Sequence, residues 1–245
     1  MNPWRIYDAL IESIPEGLSG AKVYQGPELT GVLYDGNMGV SMTYHYEGQP
    51  RTVTDYHGME LRELAKLSKS WNFAEAAVGI SAVNAYWNRR ALLKTAEPAA
   101  AFEHYRPFAA GRKIAVVGHF PYIAKFFGDI AEVIVLERED VEGDFPDTAC
   151  EYLLAECDLI FLTASAFVNK SITRLIELSR GKEMILLGPT TPMAPVLYSF
   201  GVRGLSGFVV TRVEEIIPEI ESGDCSGIFD FGEMVNLRES PIGSL

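Results

Sequence analysis

Cysteine is scarce in this chain of 245 residues: Cys150, Cys157 and Cys225 are its only three, an odd number with no C-x-x-C pair. That excludes a disulfide framework, and a chain of this length buries enough surface to need no such staple. Histidine is scarce too. His45, His57, His104 and His119 form neither H-x-x-x-H nor H-E-x-x-H, so no zinc site is legible. Positive charge is in deficit, with 21 Lys and Arg against 33 Asp and Glu and a net charge of -12. The basic residues are scattered, which excludes nucleic acid as a partner, because phosphate binding needs them clustered. No apolar run approaches membrane-spanning length, so no membrane partner is expected. The opening Met1-Asn2-Pro3-Trp4-Arg5 does not read as a secretory leader. With unpaired cysteines, this predicts a cytoplasmic setting.

What is present divides in two. In the first part, Trp4, Ile6, Tyr7, Leu10, Ile11 and Ile14 recur at helical spacing and Pro15 stops the run. Ala21–Tyr24 reads as a strand. Val32–Tyr34 and Val40–Tyr44 flank Asp35-Gly36-Asn37-Met38-Gly39, in which Asp-Gly is a strong hairpin signal. A helix around Leu61–Leu67 follows, then an Ala- and Val-rich helix, Ala74–Trp87, expected to be buried on most of its surface. Residues 95–111, bracketed by Pro98, Pro107 and Gly111, read as a linker.

From Lys113 the pattern becomes alternating strands and helices. Strands are predicted at 114–117, 132–136, 158–162, 184–188 and 205–210, with helices near 121–128, 148–156, 170–180 and 192–199. This spacing suits right-handed βαβ crossovers. The fold class expected is α/β: a small α+β domain over 1–94, then a Rossmann-like, doubly wound parallel sheet over 112–245. A helix from Val213 to Glu221 and a loose acidic tail close the chain.

In such a sheet the loops after the strands open at one edge, where ligands bind. Three of them carry candidate site residues. The first is Gly118-His119-Phe120-Pro121, where Gly118 sits at a tight turn and Pro121 suits a first helical position. Only the first glycine of the dinucleotide fingerprint is there, and Phe120 stands where pyrophosphate needs close approach, which argues against NAD. Glu137 ends the second strand, at a position where nucleotide-binding relatives of the fold hold ribose hydroxyls. The second loop offers Thr163, Ser165 and Asn169, as ligand contacts or as caps for the helix carrying Ile172 and Leu175. The third, Gly188-Pro189-Thr190-Thr191-Pro192, is stiffened by two prolines and presents two hydroxyls. Asn84, on the apolar helix, needs a partner from the facing domain or a ligand, and Asn88 shares its face. Cys150 and Cys157 read better as buried inert thiols than as metal ligands beside Asp147 and Glu151. The acids Glu137, Glu139, Asp140, Glu142, Asp144 and Asp147 form a solvated run that also offers oxygen ligands to a hard cation.

Together, Gly118–Pro121, Glu137, Thr163–Asn169, Gly188–Pro192 and Ala76–Asn84 resemble an uncharacterised bacterial and archaeal family whose name proposes heavy-metal chelation. The resemblance spans nearly the whole chain. It implies an enolase N-terminal-like domain, without the enolase catalytic barrel, followed by a Rossmann-like domain, with a site in the cleft between them. It implies site roles for Asn84, Gly118, His119, Phe120, Pro121, Glu137, Asn169, Gly188, Pro189, Thr190 and Pro192, and Thr191 keeps that last loop rich in hydroxyls. The function expected is binding of a small polar metabolite or metal-chelate complex, with a divalent or heavy metal ion as the candidate cofactor. The alternatives are a nucleotide- or S-adenosylmethionine-dependent enzyme with Glu137 on the ribose, and a non-catalytic partner-binding platform. Homo-oligomerisation stays open.

Overall fold

The structure, a computed structural model, describes residues 2–44, 49–121, 123–223 and 227–239, apart from the side chain of Ala124. His45 and Cys225 lie outside the described residues. Two sheets organise the chain. The first is antiparallel, in the order β1 (Lys22–Gln25), β2 (Leu29–Tyr34), β3 (Asn37–Met42). The hairpin turn is tighter than the sequence suggests. Tyr34 pairs with Asn37, and both Asp35 (φ 50°) and Gly36 (φ 74°) take the left-handed conformation that a two-residue turn requires. Helix α3 (Phe73–Trp87) packs across this sheet, α2 (Leu61–Lys66) packs on α3, and α1 (Arg5–Glu12) packs on α2. Asn72 caps α3, its Oδ1 accepting from Glu75 N at 3.1 Å. Every residue of α3 from Glu75 to Ala85 is buried, as its composition predicts.

The second sheet has eight strands. In chain order these are β4 (Glu97–Pro98), β5 (Lys113–Val117), β6 (Glu132–Glu137), β7 (Phe145–Pro146), β8 (Leu159–Thr163), β9 (Glu183–Leu187), β10 (Val202–Val210) and β11 (Gly232–Arg238). They lie side by side as β4-β11-β10-β9-β8-β5-β6-β7. The six from β10 to β7 are parallel, and the β11 and β4 pairings are antiparallel. The architecture is thus mixed α/β with two domains' worth of sheet. β11 occupies what the sequence suggests is a loose tail. It runs antiparallel, outside the parallel βαβ pattern from which the others are read, yet it pairs along β10 and buries Val235.

The segment expected as a linker holds β4 and helix α4 (Ala101–Ala109). Successive side chains of β5 point to opposite faces. Ile114 and Val116 join Tyr105 of α4, Phe161 and Phe127 of α5 (Ile123–Phe127) in one apolar cluster. Ala115 and Val117 join a larger one that runs on through Ile160 and Leu162 to Tyr7, Leu10 and α3. Two further helices are α6 (Cys150–Leu153), extended by 3-10 turns at both ends, and α7 (Ile172–Leu178). The helix expected near 192–199 is a 3-10 helix, Pro195–Phe200, because Pro189, Pro192 and Pro195 strip the preceding stretch of donors. The last helix is α8 (Val213–Ser222). Its Ile216 and Ile220 pack with Leu29, Val40 and Phe208 between the two sheets. Among the described residues no helix is long and apolar enough to cross a membrane.

Candidate functional site

Strand order decides which loops meet. β6 lies on one side of β5 and β8 on the other, so the chain reverses its direction of progress across the sheet at β5. Such a switch point opens a crevice at the carboxyl ends of the strands. Gly118 follows β5 directly with φ 105°, and a Cβ there would lie 3.1 Å from both Cβ and Cγ2 of Thr163, at the end of β8. The first and second site loops are therefore in contact, and the third adjoins the second through the β8–β9 pairing.

Over these strand ends lies a cleft of about 670 Å3. Gly118, His119, Phe120, Glu137, Thr163, Asn169, Gly188 and Pro189 all line it, so eight of the predicted site residues share one surface. Val117, Leu136, Cys150, Leu175 and Leu178 give it apolar ground, and Arg138 and Arg174 stand among its polar residues. Met42 and Tyr44, at and beyond the end of β3, contribute the opposing wall. That is where the sequence places Asn84. Instead, Asn84 is fully buried and donates from Nδ2 to Val40 O (2.8 Å) and Thr190 O (3.1 Å). Thr190 accepts at Oγ1 from Met42 N (2.9 Å), and Thr191 is buried beside Asn88. Asn84, Thr190 and Thr191 thus join the two sheets in the interior, and Pro121 is exposed and not part of the lining.

The most connected polar group of the cleft joins two loops. Glu137 accepts at Oε2 from His119 N (2.5 Å) and at Oε1 from Arg138 N (2.6 Å) and Glu139 N (3.2 Å). Its carboxylate thereby ties the loop after β5 to the one after β6. The His119 ring is fixed separately, with Nδ1 2.7 Å from Oδ2 of Asp144. Asp144 immediately precedes β7, which pairs with the end of β6, so strand pairing delivers it to His119. Arg138 pairs with Asp147 at 3.3 Å, and Arg174 with Glu151 at 2.5 Å. Asn169 accepts at Oδ1 from Ser171 N (3.1 Å) and Ser171 Oγ (2.6 Å), closing the turn into α7. Among the described residues Asn169 Nδ2, Ser165 Oγ and His119 Nε2 have no protein hydrogen-bond partner.

Sequence reasoning placed Asp144 in a solvated acid run and passed over Arg174, Met42 and Tyr44. No local signal marks them, since each reaches the cleft through tertiary pairing.

A bare metal ion finds no ready cage. Among the described residues no group of three His, Cys, Asp or Glu side chains is arranged to hold one. Cys150 lines the cleft, but burial, aided by the negative charge of Asp147, pushes its thiol up to about 12. Burial raises the Cys157 thiol as well. Both are free and buried, which is the inert reading of the sequence. His104 lies on α4 and does not line the cleft; its Nδ1 is 3.6 Å from Glu97, and burial lowers its pKa.

A mixed α/β protein with a crevice at the switch point of its parallel sheet is the class these features define. Residues 100–236 match the DUF364 family model and residues 7–87 the DUF4213 model, both described as "Putative heavy-metal chelation". A crystal structure of a protein of unknown function from the DUF364 family of Desulfitobacterium hafniense is 32% identical. It superimposes with a TM-score of 0.89 over 96% of this chain and 98% of that one. The chain therefore belongs to the DUF364 family. A DUF364 protein of unknown function from Pyrococcus horikoshii, 24% identical, shares the fold with a TM-score of 0.83 over 97% of this chain and 100% of that one. No curated protein matches.

Proposed function

We propose that the cleft binds a small organic ligand, above all a metal that arrives already wrapped by an organic chelator. The observation that carries this reading is the convergence of eight predicted residues on one 670 Å3 cleft with apolar ground and unspent polar groups. That volume suits a small ligand. The family description directs attention to metals, and with no three-residue cage among the described residues the chelator must supply most of the donors. In this reading 1–94 and 112–245 are the two domains, joined through 95–111, and the cleft lies between them. Asn169 Nδ2 and Ser165 Oγ hydrogen-bond the chelator, while Phe120 and Tyr44 pack against its body. The free thiols accord with a cytoplasmic location. Neither a nucleotide-dependent reaction nor a partner-protein platform gains an observation of its own, and the carboxylate of Glu137 is already engaged by three backbone N–H groups.

Equilibrium dialysis against citrate and nitrilotriacetate complexes of Ni(II), Cu(II) and Zn(II) tests this. Binding of at least one complex at a single site is expected, weakened about 3- to 10-fold by Asn169→Ala through loss of one hydrogen bond. No binding of any complex, or binding indifferent to Asn169→Ala and Ser165→Ala together, overturns the reading.

A further inference from the structure

We propose that His119 Nε2 is the protein's own ligand to the metal of the bound chelate, with Asp144 as its positioning residue; this rests on the cleft reading above. His119 is held at two points. Its backbone N–H is held by Glu137 and its Nδ1 lies 2.7 Å from the Asp144 carboxylate, so that carboxylate fixes Nδ1 as the protonated nitrogen. Nε2 is left as a lone-pair donor on a residue that lines the cleft. A carboxylate behind a histidine is the usual support of a metal-bound imidazole, setting its tautomer and raising its basicity. The Asp144 side chain is only 11% exposed while that of His119 is 41% exposed, so the support is sheltered and the ligand is accessible.

The geometry also selects the cargo. One imidazole completes a coordination sphere; it does not build one. The chelate must carry a borderline metal that favours imidazole, such as Ni(II), Cu(II) or Zn(II). It must also keep at least one exchangeable position. Binding is then a ligand substitution: bound water leaves the metal, the Nε2 lone pair takes its place, the Nδ1 proton stays on the Asp144 hydrogen bond, and no electron is transferred. Open chelates such as nitrilotriacetate complexes qualify, whereas complexes saturated by a hexadentate ligand do not.

The probes are Cu(II)–nitrilotriacetate and Cu(II)–EDTA, read by electron paramagnetic resonance and by dialysis. With the wild-type chain the nitrilotriacetate complex is expected to gain the hyperfine coupling of one imidazole nitrogen and to bind at least 10-fold more tightly than the EDTA complex. His119→Gln should abolish the coupling. Asp144→Asn, which keeps the imidazole, should weaken binding about 10- to 100-fold; an ordinary surface histidine would be indifferent to that change. Circular dichroism confirms that both variants fold. Nitrogen coupling that survives His119→Gln, or affinity unmoved by both substitutions, overturns the inference while the cleft reading stands if Asn169→Ala still weakens binding. If neither complex binds the wild-type chain the inference falls, and the cleft reading falls with it only when the citrate, Ni(II) and Zn(II) complexes fail to bind as well.

Discussion

Asn84 Nδ2 stands 3.1 Å from the carbonyl oxygen of Thr190, a residue 106 positions further along the chain. The same nitrogen serves Val40 O of β3, so one amide on a buried helix joins the small sheet to the loop after β9. Thr190 completes the clasp through its hydroxyl to Met42 N. Met42 lines the cleft, so the clasp sets how far the β3 wall stands from the strand ends of the large sheet. The cleft is shaped by polar bonds that never face it.

Asn88, one helical turn on, does the same work with three bonds. Its Nδ2 donates to Thr191 O (2.9 Å) and Phe208 O (3.2 Å), and its Oδ1 accepts from Met193 N (2.9 Å). All three partners are backbone groups, and Asn88 is 2% exposed. Asn88→Ala strands them and should destabilise the fold by about 3 kcal/mol or more, read as a lower midpoint in urea at unchanged slope. Asn88→Asp should be no milder, because a carboxylate cannot donate to the two carbonyls.

Gly118 is the tightest point of the site. Its φ of 105° is one that L side chains rarely adopt, and the nearest atoms to a new Cβ belong to Thr163 at 3.1 Å. Gly118→Ala should cost about 1–3 kcal/mol. Adding Thr163→Ser removes Cγ2 and should recover only part, since the backbone strain remains. Full recovery in thermal unfolding would show that crowding, not φ, limits this turn.

The parallel strands were legible because doubly buried strands are continuous runs of Ile, Val and Leu. The Asp35-Gly36 turn and the burial of α3 were legible from local chemistry in the same way. The sequence shows that Asn84 needs a partner but not that Thr190 supplies it. Nor does it show that Asp144 rather than a nearer acid meets His119, because that follows from β7 pairing with the end of β6. Strand order, set by packing over the whole chain, is what turns three loops into one surface. β11 escaped because it runs antiparallel and its Glu233-Met234-Val235-Asn236 stretch is neither a continuous apolar run nor a clean alternation, the two patterns by which strands are read.

Glu75 is buried in the first turn of α3, where its carboxylate accepts from Thr52 N, Thr52 Oγ1 (2.9 Å), Val53 N (2.6 Å) and Ser70 Oγ (2.6 Å). Burial opposes its ionisation, but the hydrogen bonds from Ser70, Val53 and Thr52 outweigh that and hold the carboxyl below its ordinary 4.5. The folded state thus gives up this proton more readily than the unfolded chain. Its stabilisation is complete above about pH 4.5 and is lost as pH falls through the lowered folded value. Glu75→Gln should destabilise by about 2 kcal/mol at pH 7. The gap between variant and wild type should narrow below pH 4.5 in urea titrations; a gap constant from pH 7 to pH 3 would show that charge plays no part.

Lys170 presents the opposite sign. Its backbone is left-handed (φ 70°), and its ammonium is enclosed where α1, α3 and the second site loop meet. Nζ donates to Ser68 O (2.6 Å), Val168 O (3.2 Å) and Phe167 O (3.4 Å), and sits 5.4 Å from the ring centre of Tyr7. Despite these partners, burial pushes its pKa down from 10.5 to about 7. Between those values the unfolded chain holds a proton that the folded chain has released, so the unfolded state binds more protons and stability rises with pH. Below pH 7 both states are charged and the cost of burying the ammonium is borne in full. Lys170→Met removes the titration and leaves two carbonyls unpaired, since Phe167 O still accepts from Tyr7 Oη at 2.8 Å. The variant should be less stable than wild type at pH 8.5, and the difference should shrink or reverse at pH 6. Urea unfolding of both proteins at the two pH values decides it: a difference that stays constant, or grows in acid, would mean that the ammonium remains charged in the fold and that its three carbonyls and two rings outweigh the burial.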